Sequence, residues 1–126
     1  EMNPDCLVPV PVHKSRLRER GYNQAQLIAD YISRETGIPV RPDILQRTRH
    51  TVAMKNLDPK ERQANLREAF LADTEAFAPE KGGKPQHIML IDDIYTTGAT
   101  AEACAGILSK YGIGMSFLAV CIGSDI

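Results

Sequence analysis

Apolar residues in this chain fall into short runs separated by polar stretches, a pattern that predicts alternating strands and helices. The first run, residues 6–12, is rich in valine and predicts a strand. Because Pro9 and Pro11 cannot donate ladder hydrogen bonds, we expect this strand to end near Val8 or Val10 and to lead into a rigid loop.

The next segment, residues 24–36, is predicted to be a helix. Asn23 is a suitable N-cap, Gln26 stands three residues later as in a capping box, and Gly37 is a suitable stop. Four apolar residues recur at a spacing that predicts one helical face: Leu27, Ile28, Tyr31 and Ile32. Residues 38–40 then predict a brief strand.

The middle of the chain is more polar. Residues 46–57 lack a clear period. The sequence Asp-Pro-Lys-Glu at 58–61 predicts the start of a short helix, because it supplies an N-cap, a proline at the first helical position and a glutamate two residues later. Residues 69–72 predict a strand, and residues 79–86 predict a surface turn.

The last third of the chain predicts a strand, a loop, a helix and a second strand. Residues 87–91 form a buried-strand pattern, residues 100–111 a helix that stops at Gly112, and residues 115–122 another apolar run. The expected buried face of the helix consists of Ala101, Cys104, Ala105 and Leu108. Gly106 lowers helix propensity, and we expect it to let the helix approach the sheet closely. This order indicates a βαβ unit and an α/β fold with a parallel sheet.

Composition limits the class of protein. The 126 residues fit one domain, and 43% apolar with 25% charged residues is ordinary for a globular protein. The net charge of −1 provides no global attraction for nucleic acid or an anionic membrane. No apolar run approaches the ~20 residues of a membrane span, and the N-terminus does not resemble a signal peptide. Cys6, Cys104 and Cys121 show no zinc-binding spacing, so we expect buried thiols in a cytoplasmic protein.

The candidate chemistry lies in residues 91–100, where an apolar strand ends in two carboxylates and a loop of small residues leads into a helix. Ligands of open α/β sheets bind at the carboxyl ends of strands. Strand alternation points Asp92 and Asp93 in different directions, so they can contact two groups. The loop and the helix N-terminus offer N–H donors to a phosphate, and hydroxyl donors and close backbone approach come from Thr96, Thr97, Thr100 and Gly98. The segment predicts a sugar-phosphate site.

Other interpretations of this segment are weaker. Thr-Thr-Gly alone would indicate only a turn, but here it follows an apolar strand and two aspartates. The chain contains neither the glycine-rich lysine motif of P-loop proteins nor the G-x-G-x-x-G of dinucleotide-binding folds. An aspartyl-phosphate phosphatase would need one residue between its two aspartates, whereas Asp92 and Asp93 are adjacent and Ile94 follows them.

Residues 88–100 resemble the signature that binds 5-phosphoribosyl-1-pyrophosphate (PRPP) in type I phosphoribosyltransferases. Much of the remaining chain is similar to one branch of them, the ComF family. The residues that carry this similarity are Val8-Pro9-Val10-Pro11, Arg16-Leu17-Arg18-Glu19-Arg20-Gly21-Tyr22-Asn23-Gln24, Leu57, Glu61-Arg62, Asn65 and Phe70. The resemblance implies a type I phosphoribosyltransferase-like parallel sheet flanked by helices, with a flexible closing loop. The family carries an upstream zinc segment that this chain lacks, so we expect residues 1–126 to be the C-terminal domain of a longer protein.

The resemblance also implies a role for each part of the site. Asp92 and Asp93 would be catalytic, facing the ribose hydroxyls and holding Mg²⁺ directly or through water. The loop for the 5′-phosphate would consist of Thr96, Thr97, Gly98, Ala99 and Thr100. The pyrophosphate loop, residues 11–22, carries Lys14, Arg16, Arg18 and Arg20, and the closing loop, residues 48–65, carries Arg49, Lys55 and Arg62, with Arg47 beside it. Arginine suits this task because it binds phosphate oxygens in a bidentate manner.

The implied function is a Mg²⁺-dependent transfer in which a nitrogen nucleophile displaces pyrophosphate from C1 of PRPP, in a protein associated with competence and DNA uptake. The expected partners are PRPP, a nitrogen acceptor, proteins of the competence machinery and a second copy of the chain, without membrane or direct nucleic-acid binding. The alternative is a non-catalytic PRPP- or nucleotide-binding module, which Met54 favours slightly because the family usually has glutamine there. A nucleic-acid patch at Lys14–Arg20 is a weaker interpretation, since Tyr22 is the only aromatic residue nearby. His13 and His87 are available as acid–base groups, although a structural or surface position is favoured for both.

Overall fold

The computed structural model of the protein describes residues 3–12, 17–19, 21–47, 58–61, 69–93 and 98–119. Within these residues a parallel sheet of three strands and an antiparallel sheet of two strands pack with two longer α-helices. The elements are β1 (Cys6–Pro9), α1 (Gln24–Thr36), β2 (Leu45–Arg47), β3 (Phe70–Ala72), two 3₁₀ helices (Thr74–Phe77 and Pro79–Lys81), β4 (His87–Asp92), α2 (Ala99–Ser109) and β5 (Gly114–Ala119). The predicted α/β class, with a parallel sheet flanked by helices, is confirmed.

The parallel sheet has the strand order β1–β4–β5, so β4 lies in its centre. The register places Val8 beside Leu90 and Asp92 beside Ala119. Residues 38–40 were expected to form a brief strand, and the structure has a single parallel bridge there, between Val40 and Leu7. Among the described residues, no helix is both long and apolar enough to cross a bilayer.

Both faces of the parallel sheet are covered at β1 and β4, which explains why these two strands are mainly apolar runs. Leu7 and Ile91 are buried together with Ala29 of α1 on one face. The neighbouring strand residues belong to a larger core that includes α2 and the second sheet: Cys6, Val8, Ile88 and Leu90. Because successive side chains of a strand point to opposite faces, one apolar strand can contribute to both cores.

Helix α1 begins and ends where its caps predicted. Asn23 Oδ1 accepts a hydrogen bond from Gln26 N at 3.2 Å, and Gly37 closes the helix at φ 81° with its N–H on Ser33 O. The predicted buried face is only half correct. Ile28 and Ile32 pack on the sheet, but two other members are exposed, Leu27 by 52% and Tyr31 by 58%. Two small residues, Ala25 and Ala29, are buried instead, which lets the helix backbone lie close to the sheet.

Helix α2 covers the opposite face of the sheet. Cys104 and Leu108 are buried as predicted, together with Ala103, and Ala101 is partly buried against the same core. The expectation for Gly106 was wrong: the residue is exposed, and a Cβ built there would meet no atom within 4 Å. The helix ends at Ser109, and a turn continues to Gly112, which has a φ of 73°.

The second sheet pairs β2 with β3 in an antiparallel register. The strand at 69–72 was predicted, whereas Leu45–Arg47 partly overlaps the polar stretch that gave no period. At 58–61 the predicted helix start is confirmed by a reciprocal capping box, in which Glu61 N donates to Asp58 Oδ1 at 2.7 Å and Asp58 N donates to Glu61 Oε1 at 3.0 Å. The predicted turn at 79–86 contains the 3₁₀ helix Pro79–Lys81.

Candidate functional site

A polar cavity of about 230 Å³ lies where β1 and β4 end and where both helices begin. Its lining residues come from the described parts of five segments: Val10, Pro11, Val12, Asn23, Gln24, Ala25, Arg47, Asp92, Asp93 and Thr100. Parallel strands present their carboxyl ends at one edge, and this edge is where ligands of open α/β sheets bind. The cavity therefore occupies the position that the sequence predicted for the ligand.

Asp92 and Asp93 both line this cavity and are both half-buried. Asp92 is the last residue of the central strand β4, and its Oδ1 accepts a hydrogen bond from Asp93 N at 2.8 Å. The negative charge of Asp92 also acts on Cys104 of α2. The pKa of that thiol is raised to about 12, first by burial and then by this carboxylate. The predicted acidic pair is thus positioned by the central strand of the parallel sheet.

The start of α2 supplies part of the predicted phosphate loop. Gly98 precedes the helix with a φ of 80°, a conformation that favours glycine, and Ala99 and Thr100 are its first two residues. The first N–H groups of a helix have no partner within the helix and carry partial positive charge. Thr100 lines the cavity, while Thr96 and Thr97 lie outside the described residues.

The start of α1 also lines the cavity, which the sequence analysis did not anticipate. Asn23 caps α1 and at the same time donates from Nδ2 to Val10 O at 3.2 Å, so it joins the end of β1 to the start of the helix. Gln24 and Ala25, the first two helical residues, complete this wall. The sequence did contain a signal for this position. A helix whose N-cap follows the loop after β1 is expected to begin at the carboxyl edge of the sheet, where β1 ends.

Arg47 also lines the cavity, and the sequence already placed it beside the closing loop, among the cations that suit a pyrophosphate. It is the last residue of β2, and its guanidinium carbon lies 4.9 Å from the centre of the Phe70 ring. Its positive charge lowers the pKa of Cys104, which opposes the effect of Asp92. Arg47 and Asp92 therefore act on the same buried thiol although they belong to different sheets.

Most of the predicted cationic residues cannot be placed. Lys14, Arg16, Arg20, Arg49, Lys55 and Arg62 all lie outside the described residues. Arg18 is described: it lies in a helical segment at 17–19, is exposed, and is not among the lining residues of the cavity. The two cationic loops thus stay a prediction.

His87 lies away from the cavity. It is the first residue of β4, whereas Asp92 is the last, and its Nε2 is 2.8 Å from Ser116 Oγ. A Cβ on Gly114 would lie 2.8 Å from His87 Nδ1, so the imidazole is tightly enclosed on that side. These contacts agree with a structural role. His13 lies outside the described residues.

A larger cavity of about 590 Å³ lies near the amino-terminal ends of the strands, but its cations already serve the fold. Arg41 donates to three main-chain carbonyls, those of Ala76, Lys81 and Gly83, at 2.6–3.0 Å. Lys84 donates to Tyr111 O at 2.8 Å. Because these donors hold main-chain oxygens, this cavity is a weaker candidate for an anion site than the one at Asp92.

The acidic pair fits Mg²⁺ better than a transition metal. Among the described residues there is no cluster of three or more His, Cys, Asp or Glu side chains that could enclose a metal. Mg²⁺ commonly binds through one or two carboxylates and keeps several waters, with substrate phosphates as further ligands. Asp92 and Asp93 offer hard oxygen ligands of this kind beside an open polar cavity.

Several curated proteins are similar in sequence to this chain. Competence protein F of Haemophilus influenzae is 36% identical over 111 residues, which cover 87% of this chain and 46% of that protein. DNA utilization protein YhgH of Escherichia coli is 32% identical over 109 residues, which cover 86% of this chain and 45% of that protein. Competence protein ComFC of Bacillus subtilis is 32% identical over 106 residues, which cover 84% of this chain and 39% of that protein. The chain thus spans less than half the length of these curated relatives.

No protein-family model matches the chain, and no solved structure matches it significantly. The curated relatives nevertheless align with most of the chain, and two of the three named here are competence proteins. Together they support the resemblance of this chain to the ComF family.

Proposed function

We propose that this chain binds PRPP in the cavity at Asp92 and uses it as a phosphoribosyl donor. The observation that carries this proposal is the combination of groups around one small cavity: two adjacent carboxylates, one arginine and the N-termini of two helices. Carboxylates accept hydrogen bonds from sugar hydroxyls, while helix N-termini and guanidinium groups bind phosphate oxygens. A phosphorylated sugar needs both kinds of contact within a short distance.

Two parts of PRPP, the 5′-phosphate and the ribose, have counterparts at the cavity. The N–H groups at the start of α2, after Gly98, would hold the 5′-phosphate. The carboxylates of Asp92 and Asp93 would accept hydrogen bonds from the ribose hydroxyls. Because Gly98 carries no side chain, a phosphate can approach the backbone closely at this point.

The proposed reaction breaks the C1–O bond to pyrophosphate and forms a C1–N bond. Pyrophosphate leaves with the electron pair of the broken bond, and the nitrogen nucleophile gives up a proton. The ring carbon gains positive charge in the transition state, as in glycoside chemistry, and the nearby carboxylates of Asp92 and Asp93 would stabilise it. Mg²⁺ bound by Asp92 and Asp93 would neutralise part of the pyrophosphate charge.

A second candidate function is a PRPP-binding module that acts through protein partners without catalysis. The names of the relatives favour it, because they refer to competence and DNA utilization and mention no reaction. By the same names, we propose that the protein containing this chain takes part in DNA uptake or use. Both candidates require the same ligand site and differ only in whether C1 is attacked.

Binding is tested by isothermal titration of PRPP, with and without Mg²⁺, into the wild-type chain and the Asp92→Asn/Asp93→Asn variant. We expect the variant to lose affinity by roughly 10- to 100-fold, because it loses two charged acceptors. Asp30→Asn is a matched control, since Asp30 is exposed on α1 and does not line the cavity. Equal affinities of wild type and double variant would rule out the acidic pair as the site.

Catalysis is tested separately by pyrophosphate release from PRPP, with ammonia, supplied as an ammonium salt, as the simplest nitrogen nucleophile. The enzyme proposal expects release that depends on Mg²⁺ and disappears in the Asp92→Asn/Asp93→Asn variant. Binding without release would favour the second candidate.

A further inference from the structure

Helix α1 carries apolar side chains on the side that faces away from the sheet. The side that packs on the sheet is formed by Ile28, Ala29 and Ile32. Leu27 and Tyr31 lie one turn apart outside this contact, exposed by 52% and 58%. A surface helix normally has polar residues on its outward side. These two side chains therefore contribute little to packing within one copy of the chain.

The outward apolar residues continue into a groove of about 330 Å³ at the start of α1. Leu17 and Tyr22, exposed by 41% and 43%, line this groove together with Leu27. With Tyr31 they make up four of the six exposed large apolar side chains in the described part of the chain, and we call these four residues the α1 stripe. Exposed apolar residues that cluster in this way mark interaction sites, whereas scattered ones are ordinary.

The two ends of the α1 stripe differ in charge. At its start, residues 14–20 contain four cations and one anion, and Arg18 is exposed and does not line the PRPP cavity. At its other end the exposed carboxylates of Asp30 and Glu35 outnumber the one cation, Arg34, and the helix C-terminus adds partial negative charge. Among the described residues, neither Arg18 nor these two carboxylates has an ion-pair partner. The surface is thus apolar in the middle, basic at one end and acidic at the other.

We infer that the α1 stripe is the contact surface between two copies of this chain related by a twofold axis. Such an interface uses the same patch on both copies, so the patch must be complementary to itself. In an antiparallel arrangement Leu17 meets Tyr31 of the second copy, and Tyr22 meets its Leu27. The basic end of each copy then lies beside the acidic end of the other, whereas a parallel arrangement would place like charges together.

This interface would lie directly beside the candidate PRPP cavity without including it. The groove and the cavity share three lining residues, Pro11, Val12 and Asn23. The inference does not depend on the proposed function. A dimer that fails to bind PRPP would contradict only the proposed function, and a monomer that binds PRPP would contradict only the inference.

The first test is sedimentation velocity of the chain at increasing protein concentration. We expect a monomer–dimer equilibrium that Leu27→Gln/Tyr31→Gln weakens by roughly tenfold or more, because the variant removes two apolar contacts from each side of the interface. Glutamine favours helix, so α1 should persist, and thermal unfolding verifies that the variant is folded. Leu71→Gln is the matched control and should leave the dimer unchanged, since Leu71 is 48% exposed on β3, outside the α1 stripe.

Charge reversal tests the twofold pairing itself. Arg18→Glu and Glu35→Arg should each weaken the dimer by roughly three- to tenfold, because either change places like charges at both ends of the interface. The combined variant Arg18→Glu/Glu35→Arg has opposite charges there again and should recover most of the wild-type affinity. Lys110→Glu reverses a charge at an exposed position after α2 and should have no effect.

Three results would overturn the inference. The wild-type chain could stay monomeric up to about 1 mM, which would leave the α1 stripe to a different partner. A dimer that Leu27→Gln/Tyr31→Gln leaves unchanged would use another surface. A dimer that the combined charge variant fails to restore would not have the antiparallel twofold arrangement.

Discussion

Asn23 has two tasks that are usually given to separate residues. Its side-chain oxygen caps α1 through Gln26 N, and its side-chain nitrogen donates to Val10 O at the end of β1. The same amide therefore fixes a helix N-terminus and a strand end on one wall of the cavity. A change at this residue should affect both the stability of the fold and the geometry of the site.

Asn23→Ala should lower the free energy of unfolding by about 1–2 kcal/mol, because it removes the cap and the donor to Val10 together. Urea denaturation measures this change. Asp58→Ala is the comparison, since Asp58 caps an exposed helical turn. Its loss should be smaller, about 0.5–1 kcal/mol. Equal losses for the two variants would mean that the bond to Val10 O adds nothing.

Among the secondary-structure elements, α1 and α2 each contain or end at a glycine whose replacement should change stability in opposite directions. Gly106 lies within α2, while Gly37 ends α1 at φ 81°. A Cβ at either position would meet no atom within 4 Å, so steric space does not distinguish them. The backbone conformation does, because only Gly37 adopts the left-handed region that side chains disfavour.

Gly106→Ala should therefore raise the free energy of unfolding by about 0.5–1 kcal/mol, through better helix propensity and a less flexible unfolded chain. Gly37→Ala should lower it by about 1 kcal/mol, since alanine is strained at that φ. Thermal or urea unfolding of the pair provides the measurement. A lower free energy of unfolding in Gly106→Ala would contradict the prediction, because it would mean that the packing of α2 requires glycine at this position.

Elements with strong local signals were predicted well. β4 is a continuous apolar run, and α1 has an N-cap and a glycine stop, so their ends follow from the sequence within about a residue. β2 was missed because it has only three residues, of which only Leu45 is buried, and its pairing with β3 depends on residues far along the chain. Arg47 was counted among the cations beside the closing loop, but its place at the end of β2 in the cavity wall depends on tertiary contacts. The acidic pair was found because strand ends locate ligand sites in this class of fold.

For the molecule as a whole, the two edges of the parallel sheet differ in how their polar groups are used. At the amino-terminal edge the polar groups form hydrogen bonds with one another. Arg41 donates to three main-chain carbonyls. Asp5 accepts hydrogen bonds from the N–H groups of Gln86 and His87, which lowers the pKa of its carboxyl. At the carboxyl edge the polar groups surround a cavity. Substitutions at the first edge should mainly change stability, and those at the second should mainly change ligand binding.

The buried thiols give a prediction for the whole fold. Burial raises the pKa of Cys6 to about 11 and that of Cys104 to about 12. Both thiols are thus protonated at neutral pH and enclosed by the core. In a Cys121→Ser variant, we expect Ellman's reagent to modify neither thiol in the native state at pH 8 and both after denaturation. Rapid modification of the native protein would contradict this packing.

The raised pKa values of Cys6 and Cys104 also predict how the stability of the fold depends on pH. In the folded protein the pKa values of both thiols are higher than the ordinary 9.0. Burial of the neutral thiols therefore contributes fully to stability below pH 9, and this contribution is lost as the pH rises towards 11–12. The free energy of unfolding should therefore fall above pH 9, and it should fall less steeply in a Cys6→Ala/Cys104→Ala variant. Parallel curves for the two proteins would contradict the prediction.

The pairing of β1 with β4 has a consequence for how the chain is made. The hydrogen bond between His87 N and Asp5 joins residues 82 positions apart, and β1 pairs along its length with the strand that starts at His87. At a synthesis rate of about 5–20 residues per second, β1 leaves the ribosome roughly 4–16 s before that strand does. During this interval its apolar residues have no sheet to join, so the nascent chain passes through a stage in which a chaperone would have a valine-rich segment to bind.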